Sequence, residues 1–552
     1  MHNMTRHIWV AAFLMLSLSA SAQQAENHNA EISRNLEIFN EIYKQLDLFY
    51  VDTLSADTVI EWGINSMLRK VDPFTSYFPE DDDELKQMTT GKYAGIGSVI
   101  RYSKKHDRVI ISEPYEDSPC QQVGLKAGDM IMSIDGKDVK GLSVDKVSEK
   151  LKGEAGTTFE LSILRYGEKK ERAFKITRDN IHFPQVPYHG IVRDNIGYLY
   201  LSGFADGSFR EMKTAFQELK EQGAKSLILD LRDNPGGSLE ESVNMINLFV
   251  PKGKKVVYTK GKMASTNREF FTATEPLDTI IPIVVMVDGS SASAAEILSG
   301  SLQDMDRAVI IGTRTYGKGL VQTVRPMPYG GNLKLTTSRY YIPSGRCIQA
   351  YNYRKRNADG SVGTVPDSLT NVFHTEGGRE VRDGGGIKPD IEVKPDSLPS
   401  LIYDLVASEP FMDFAIQYGS THSSIAPAGK FCLTDEEYSQ FIEFVNKEGF
   451  TYNRRSDEVL KLLRDVAKRE GYLESAKAEL DALEAKFTQD LTGDLTRFRE
   501  KIEPYICDEI VRYYYYQKGA AQQQLVKDPC IEKALELLAN PKEYNKILHP
   551  NK

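Results

Sequence analysis

Three loops of this 552-residue chain carry residue types that could together perform acyl transfer. Ser293 lies in a run of small residues, Lys318 lies between two glycines, and a Pro-Gly-Gly turn contains Gly236 and Gly237. A serine hydroxyl needs a base, and a lysine can serve once burial has lowered its pKa far below about 10.4. The N–H groups of the glycine turn could stabilise an oxyanion. Gln322 could orient the lysine without restoring its positive charge.

Each loop also has a purely structural interpretation. Ser293 and Glu296 match the S-x-x-E capping box of a helix start. A lysine between glycines is usually a solvated loop residue, and the Pro-Gly-Gly segment could be a tight turn between a strand and a helix. Taken singly, the loops leave both interpretations open, and only their combination favours catalysis.

The segment that contains the loops, residues 193–349, alternates apolar strands with amphipathic helices. This alternation indicates a layered α/β domain, in which ligand sites lie beyond the carboxyl ends of the strands. Each of the three loops follows a predicted buried strand. Strands are predicted at Gly197–Leu201, Leu227–Leu231, Ile283–Val287 and Val309–Gly312, and helices at Phe209–Leu219, Leu239–Val250 and Ala292–Leu302.

The flanking segments have different patterns. Residues 29–90 predict helices, and residues 350–386 predict a polar insertion or mobile loop. Residues 180–192 predict a linker, and the chain beyond Asp396 predicts charged amphipathic helices. Residues 91–179 predict short strands and one helix, at Ile96–Ile100, Val109–Ser112, Met130–Ile134 and Phe159–Arg165 for the strands and Val144–Leu151 for the helix.

Several short motifs occur in a fixed order between residues 35 and 400. They are Tyr93-Ala94-Gly95-Ile96-Gly97, Asp230-Leu231-Arg232, Asn234-Pro235-Gly236-Gly237, Ser291-Ala292-Ser293-Ala294-Ala295-Glu296-Ile297, Gly317-Lys318-Gly319, Val321-Gln322, Leu335-Thr336-Thr337, Pro343-Ser344-Gly345-Arg346 and Gly386-Ile387-Lys388-Pro389-Asp390. With these motifs in this order, the chain resembles the C-terminal processing peptidases, which are tail-specific proteases with a Ser/Lys dyad and a PDZ domain.

The resemblance implies a role for each residue of the three loops. Ser293 is the implied nucleophile, Lys318 the general base and Gln322 the partner that orients it. The implied oxyanion hole consists of the N–H of Ala294 and one N–H of the Gly236-Gly237 turn, with the choice of glycine left open. This chemistry needs neither a metal nor a cofactor.

The resemblance also assigns a peptide-binding role to the segment Tyr93, Ala94, Gly95, Ile96 and Gly97. These residues predict a glycine-containing turn entering a strand. Such a turn can receive a terminal carboxylate on its backbone N–H groups while the peptide adds to the sheet as a strand. The expected partners are therefore protein substrates with exposed C-terminal tails. The family likeness is also compatible with a homodimer through the helical termini and with an adaptor protein.

The N-terminal residues predict export. Arg6, the apolar stretch Ile8–Leu18 and the small residues Ser19–Ala22 match a secretory signal peptide, and an uncleaved membrane anchor is the alternative. In a bacterium with two membranes the expected compartment is the periplasm. The net charge of −9 argues against a nucleic-acid partner. The five cysteines are too scattered to define a disulfide framework.

The predicted architecture is a multidomain α/β protein with a PDZ-like β module and a layered, crotonase-like protease core. The predicted function is an exported serine endopeptidase, and the alternative is a non-catalytic PDZ scaffold or chaperone that retains the protease fold. The predicted domains are a signal peptide at 1–22, a helical segment at 23–90, the PDZ-like domain at 91–179, the protease core at 180–400 and a C-terminal helical region at 401–552. Within that last region, Tyr513–Tyr516 predicts an interface or core feature, with ligand stacking as the alternative.

Overall fold

The computed structural model describes residues 28–79, 92–452, 454–487 and 490–550. The predicted signal peptide lies outside the described residues. By its internal contacts the chain divides into two compact units, one made of Met1–Glu80 with Val324–Leu335 and one made of Asp81–Thr323 with Thr336–Lys552. None of the helices in the described part of the chain combines the length and the apolar composition needed to cross a bilayer.

In its described residues the first unit contains two helices, a short strand and parts of two longer strands. Helix α1 covers residues 28–49, helix α2 covers Ala56–Val71, and strand β1 covers Ser76–Phe78 and pairs antiparallel with Asn332–Lys334. Helix α2 ends because the carboxylate of the buried Asp72 accepts hydrogen bonds from the N–H groups of Phe74 and Thr75 at 2.8 and 2.7 Å. The predicted helices are confirmed in the described residues.

The PDZ-like module is a small antiparallel sheet with two short helices. Its sheet has the order β3-β4-β5-β7-β8, with β6 on β5, and a separate pair joins β2 to β9. Apolar side chains at alternate positions, such as Val109 and Ile111, form its core. The elements are β2 Lys92–Gly95, β3 Ser98–Ser103, β4 Arg108–Pro114, α3 Pro119–Gln122, β5 Met130–Ile134, β6 Lys137–Asp138, α4 Val144–Leu151, β7 Thr158–Leu164, β8 Arg172–Thr177 and β9 Asp179–His182.

The α/β core is built on a six-stranded sheet of order β10-β11-β12-β15-β16-β21, in which every pairing from β11 onward is parallel. The central strands are buried along their whole length, as expected for a parallel sheet covered on both faces. Helices α5, α6 and α7 cover one face. The elements are β10 Tyr188–Arg193, β11 Ile196–Tyr200, α5 Ser208–Glu221, β12 Ser226–Asp230, α6 Leu239–Ile246, β13 Lys255–Gly261, β14 Arg268–Phe271, β15 Ile283–Val287, α7 Ala294–Asp304, β16 Val309–Gly312, β17 Leu320–Pro326, β18 Asn332–Tyr341, β19 Val372–His374, β20 Glu380–Arg382 and β21 Ile391–Glu392.

Two predictions about the connections were wrong or incomplete. The predicted linker at 180–192 is mostly strand, because Asn180–His182 pair with β2 and Tyr188–Arg193 pair with β11. The predicted insertion at 350–386 contains an antiparallel hairpin, β19 with β20. It is also anchored to the core, since buried Arg379 contacts Asp306 and the carbonyl oxygen of Gln303.

The described residues of the C-terminal region are mostly helical, as predicted. Helices α8, α9, α10, α13 and α14 form an apolar core of their own, to which the charged stretch around residues 457–505 contributes Leu495 and Ile502. This stretch contains four separate helices. The bounds are α8 Ser400–Ser408, α9 Pro410–Thr421, α10 Asp435–Lys447, α11 Arg455–Glu470, α12 Lys477–Lys486, α13 Leu491–Arg497, α14 Arg499–Gln524, α15 Pro529–Leu538 and α16 Pro541–Leu548.

The last two helices, α15 and α16, cover the second face of the parallel sheet. Ile531 and Leu535 pack with Ile228 and Met286 in one apolar cluster. The Tyr544 hydroxyl accepts a hydrogen bond from the N–H of Ile283 at 2.9 Å and donates one to its carbonyl oxygen at 3.0 Å. These two C-terminal helices are therefore part of the packing of the α/β core.

We expect Tyr544→Phe to lower the free energy of unfolding by about 1–3 kcal/mol, because it leaves two buried backbone groups of β15 without a partner. Urea denaturation followed by circular dichroism measures the change. Tyr403→Phe, at an exposed position on α8, is the matched control. Equal unfolding midpoints for the two variants would contradict this account of the sheet's second face.

Candidate active site

Ser293 lies at the start of helix α7 in a strained backbone conformation. Its φ of 56° and ψ of −112° are rare for a residue with a side chain and cost of order 1–3 kcal/mol. The conformation is held from several sides, because the Ser293 carbonyl oxygen accepts hydrogen bonds from the N–H of Ile297 at 2.9 Å and the hydroxyl of Tyr340 at 3.2 Å. The residue itself is only half-buried. A strained serine that remains accessible is typical of a functional site.

The carboxylate of Glu296 joins the Ser293 loop to the Lys318 loop. One oxygen accepts hydrogen bonds from the N–H groups of Ser293 and Lys318, both at 2.9 Å. The other accepts from the N–H of Gly317 at 2.7 Å and the hydroxyl of Thr315 at 2.5 Å. Complete burial raises the pKa of Glu296, and these four hydrogen bonds act in the opposite direction. Ser293 and Lys318 are thus positioned by a single buried side chain.

The backbone on both sides of Lys318 is also fixed. The carbonyl oxygen of Gly317 accepts a hydrogen bond from the N–H of Ala350 at 2.9 Å, and the N–H of Gly319 donates to the side-chain oxygen of Gln349 at 2.8 Å. Lys318 itself is half-buried. This environment disfavours the alternative interpretation of Lys318 as a solvated residue of a flexible loop.

Gln322 lies on β17, four residues after Lys318. Its side chain is half-buried, and its amide nitrogen donates a hydrogen bond to the hydroxyl oxygen of Thr336 on β18 at 3.1 Å. The amide therefore has a fixed orientation. Thr336 lies in the motif Leu335-Thr336-Thr337, but its role could not be predicted from the sequence. In the structure its hydroxyl oxygen accepts the hydrogen bond from the Gln322 amide.

The Gly236-Gly237 turn approaches the Ser293 loop more closely than a side chain would allow. A Cβ atom added to Gly236 would lie 2.6 Å from the carbonyl oxygen of Ala292 and 2.8 Å from both the nitrogen of Ala294 and the Cβ of Ser293. Gly236 also has a φ of 95°, which favours glycine. The glycine is therefore required for backbone-to-backbone contact at the start of helix α7.

The N–H groups around this contact differ in their hydrogen bonding. The N–H of Gly236 donates to the side-chain oxygen of Asn234 at 2.9 Å, while the Asn234 amide donates to the carbonyl oxygen of Leu201 at 2.7 Å. For the N–H groups of Gly237 and Ala294, the described residues offer no acceptor within hydrogen-bond distance. The sequence leaves the choice between Gly236 and Gly237 open. Of these two glycines, Gly237 is the one whose backbone N–H is available to a ligand.

A partly buried ion-pair network lies next to the turn. Arg232 contacts Asp230 at 2.7 Å and Asp528 at 2.6 Å, and the hydroxyl of Tyr198 donates to Asp230 at 2.8 Å. Asp528 is the N-cap of helix α15, where its side chain accepts from the N–H groups of the first turn. Sequence reasoning missed Asp528, because nothing in its local pattern relates it to a motif almost 300 residues earlier.

The segment predicted to bind peptides, residues 93–97, differs from the prediction in its secondary structure. Tyr93, Ala94 and Gly95 belong to strand β2, which pairs with β9, so the predicted turn is reduced to Ile96 and Gly97. The turn forms because Gly97 has a φ of 73° and lies against Ser118, whose Cβ would be 2.4 Å from an added Cβ. For the N–H groups of Ile96 and Gly97, no acceptor is present within the described part of the chain.

A groove adjoins this turn. Strand β3 forms an edge of its sheet, and helix α4 packs beside it with Val147 and Leu151 buried. Val99, on β3, remains 39% exposed. A free strand edge facing a helix, with backbone donors at one end, has the features needed to bind an extended peptide by its terminal carboxylate.

Comparison with known families agrees with this organisation. The chain matches the model of peptidase family S41 over residues 195–370, a PDZ domain model over residues 110–165, and the model "Probable PDZ-protease, C-terminal helical domain" over residues 401–538. The predicted multidomain α/β fold with a PDZ domain and a protease core is thereby confirmed.

Individual relatives span most of the same region. A carboxy-terminal-processing protease of Bartonella bacilliformis is 36% identical over 343 residues, which is 61% of this chain and 78% of the relative. A probable CtpA-like serine protease of Staphylococcus haemolyticus is 30% identical over 428 residues, 76% of this chain and 84% of the relative. Among solved structures, the photosystem II D1 C-terminal processing protease is 27% identical, covering 65% of this chain and 93% of that protein with a TM-score of 0.33. The chain belongs to peptidase family S41, among the carboxy-terminal-processing serine proteases that carry a PDZ domain.

Proposed function

We propose that this protein is an exported endopeptidase that binds the C-terminal tails of protein substrates through its PDZ domain and cleaves them with a Ser293/Lys318 dyad. The observation that carries the proposal is the buried Glu296 carboxylate, which accepts hydrogen bonds from the backbone N–H groups of both residues. A binding-only protein has no need of such an arrangement.

In the proposed reaction, neutral Lys318 accepts the proton of the Ser293 hydroxyl as the hydroxyl oxygen attacks the scissile carbonyl carbon. The N–H groups of Gly237 and Ala294 stabilise the resulting oxyanion, a contribution of about 10²–10³ in rate for one donor. Collapse of the tetrahedral intermediate breaks the C–N bond, and the Lys318 ammonium returns its proton to the leaving amine. Lys318 then deprotonates a water molecule that hydrolyses the acyl-enzyme and regenerates the Ser293 hydroxyl.

Gln322 has a positioning role in this reaction. Its amide, held by Thr336, can hydrogen-bond the lysine amine without the negative charge of a carboxylate. A carboxylate would stabilise the ammonium form and so remove the base. The uncharged amide is therefore the residue type that the mechanism requires at this position.

The experiment that tests the proposal is incubation of the purified protein with an unstructured polypeptide that ends in apolar residues. We expect cleavage by the parent protein and none by Ser293→Ala. Equal inactivity of parent and variant, with the polypeptide still bound, would favour the alternative function of a PDZ scaffold. Because a lysine is the base, a chelator should leave the rate unchanged, and strong inhibition by one would contradict the mechanism.

We further propose that the protein acts in the periplasm, on the basis of the apolar segment Ile8–Leu18 and the small residues that follow it. We also propose two protein partners. One is a second copy of this chain, bound through the helical termini, and the other is an adaptor protein. Size-exclusion chromatography with light scattering tests the dimer, which a monomeric mass at all concentrations would exclude.

Tail recognition leads to a separate prediction. Amidation of a peptide's C-terminus should weaken its binding by roughly 10- to 100-fold, because a charge-assisted hydrogen bond to a backbone N–H contributes about 1.5–3 kcal/mol. Fluorescence anisotropy with the Ser293→Ala protein measures binding without cleavage. Equal affinities for the acid and the amide would show that the Ile96-Gly97 turn does not receive the carboxylate.

A further inference from the structure

The hairpin of strands β13 and β14 carries a dense group of cations in a chain whose net charge is −9. Lys260, Lys262 and Arg268 lie at the turn end of this hairpin. Arg339 joins them from β18, because its Cα lies directly opposite that of Lys260 in the antiparallel register. All four residues are exposed. Together with Met263 in the turn, they form a surface that we call the basic tip.

The cations of the basic tip are incompletely neutralised. Arg268 pairs with Glu240 of helix α6 at 3.6 Å, and the two side chains are 63% and 61% exposed. For Lys260, Lys262 and Arg339, the described residues place no carboxylate within ion-pair distance. Like charges directly opposite each other on a sheet repel. The juxtaposition of Lys260 and Arg339 therefore favours an anion from outside the chain.

Two aromatic rings hold the ammonium group of Lys260. The rings of Tyr258 and Tyr341 stack with their centroids 5.0 Å apart and their planes at 9°. The Lys260 ammonium lies 5.2 Å from the centroid of Tyr258 and 5.4 Å from that of Tyr341. A cation is attracted to the face of an aromatic ring. The charge is therefore presented at a defined position on the exposed side of the sheet.

The turn of the hairpin presents an apolar side chain on a fixed backbone. Met263 is 63% exposed. Its carbonyl oxygen accepts hydrogen bonds from the N–H and the hydroxyl of Thr266, at 2.9 and 2.6 Å. The N–H of Gly261 donates to the side-chain oxygen of Asn267 at 2.9 Å, which closes the turn. Because the turn is already ordered, a partner that covers Met263 does not have to order it.

The basic tip and the Ser293 site lie on opposite faces of the sheet that contains β13 and β18. Side chains alternate between the two faces along a strand. Tyr340 is buried on the inner face, where its hydroxyl donates to the Ser293 carbonyl oxygen. Its neighbours Arg339 and Tyr341 therefore point to the outer face. The basic tip is thus separate from the place where substrate would be cleaved.

We propose that the basic tip binds the surface of an anionic lipid bilayer. Lys260, Lys262 and Arg339 contact the lipid phosphates, and Met263 enters the boundary between headgroups and acyl chains. A bilayer suits an exposed methionine surrounded by cations, because it takes up an apolar side chain without a complementary pocket. An acidic protein would match the charges but would also need a cavity for Met263. The Ser293 face stays free for substrate.

Sedimentation of the full-length protein with vesicles of phosphatidylglycerol and phosphatidylethanolamine tests the proposal, with phosphatidylcholine vesicles as the comparison without net charge. We expect binding to the anionic vesicles that falls between about 0.1 M and about 1 M salt, because the screening length shortens from about 10 to about 3 Å. Lys260→Glu with Arg339→Glu should weaken binding by about 100-fold or more, since each cation contributes roughly fivefold and its reversal adds repulsion. Lys461→Glu with Lys468→Glu, on the exposed face of helix α11, makes the same change in net charge and should bind like the parent.

A second measurement locates the contact and leaves all the charges in place. Met263→Trp puts a fluorophore in the turn, and Tyr472→Trp, at a 64% exposed position in the helical region, is the control. Anionic vesicles with brominated acyl chains should quench Met263→Trp more strongly than Tyr472→Trp, once the signal of the parent's own two tryptophans is subtracted. Equal quenching of the two variants, sedimentation of the double charge reversal at the parent's level, or binding of polyglutamate without binding of vesicles would overturn the proposal.

Discussion

Arginine at position 318 should leave the protein folded and lower kcat/KM by about 10²–10⁴-fold, the range that a positioned base contributes. Arginine keeps the length and charge of lysine but stays protonated at all accessible pH values, so it cannot accept the Ser293 proton. Lys318→Ala should be equally impaired, because base and nucleophile act as one unit. Cleavage of the apolar-tailed polypeptide measures both variants.

The substitution of Lys318 by arginine also separates the two interpretations of this residue. Were Lys318 a solvated surface residue, arginine would be tolerated, as it should be in the control Lys213→Arg on the exposed face of helix α5. Substantial activity in Lys318→Arg would contradict the assignment.

Glu296→Gln should lower both stability and activity. A glutamine keeps one acceptor oxygen and replaces the other with an amide nitrogen, which would then face two donors from the protein. We expect the free energy of unfolding to fall by roughly 2–4 kcal/mol, because at least two buried hydrogen bonds are lost at once. We also expect kcat/KM to fall by about 10²-fold or more, since small displacements of reacting groups have effects of this size.

Urea denaturation and kcat/KM, measured on the same preparation, test the Glu296 prediction. Glu221→Gln, at an exposed position near the end of helix α5, is the matched control and should change neither quantity. If Glu296→Gln lost stability and retained full activity, Glu296 would be a helix cap without a positioning role. That outcome would favour the capping-box interpretation of Ser293 and Glu296.

Several elements could be predicted from the sequence because their signals are local. Strands Met130–Ile134, Ile283–Val287 and Val309–Gly312 and helix Val144–Leu151 have the bounds that their sequence patterns predict. In each case an apolar pattern of one period is bounded by glycine, proline or a polar residue, so periodicity and turn chemistry agree. The residues proposed for the candidate site each lie in a short motif, so they could be selected from local sequence in the same way.

The relations between distant segments could not be predicted. Tyr544 and Asp528 reach the protease core from the C-terminal helices, and no local pattern in those helices indicates a partner. The assignment of Gly237 over Gly236 depends on the orientation of one side chain, that of Asn234. From the sequence, Glu296 could be recognised only as a possible helix cap. Its contacts with the Lys318 loop form because the carboxyl ends of two strands pack side by side, which no local pattern shows.

The central claim is that Ser293 becomes acylated during turnover, and acid quenching of the reaction followed by peptide mapping with mass spectrometry tests it most directly. The account predicts an adduct on the peptide that contains Ser293, with the mass of the N-terminal cleavage fragment less one water, and no adduct in Ser293→Ala. Turnover by Ser293→Ala at the parent's rate, or an adduct on any other residue, would contradict it.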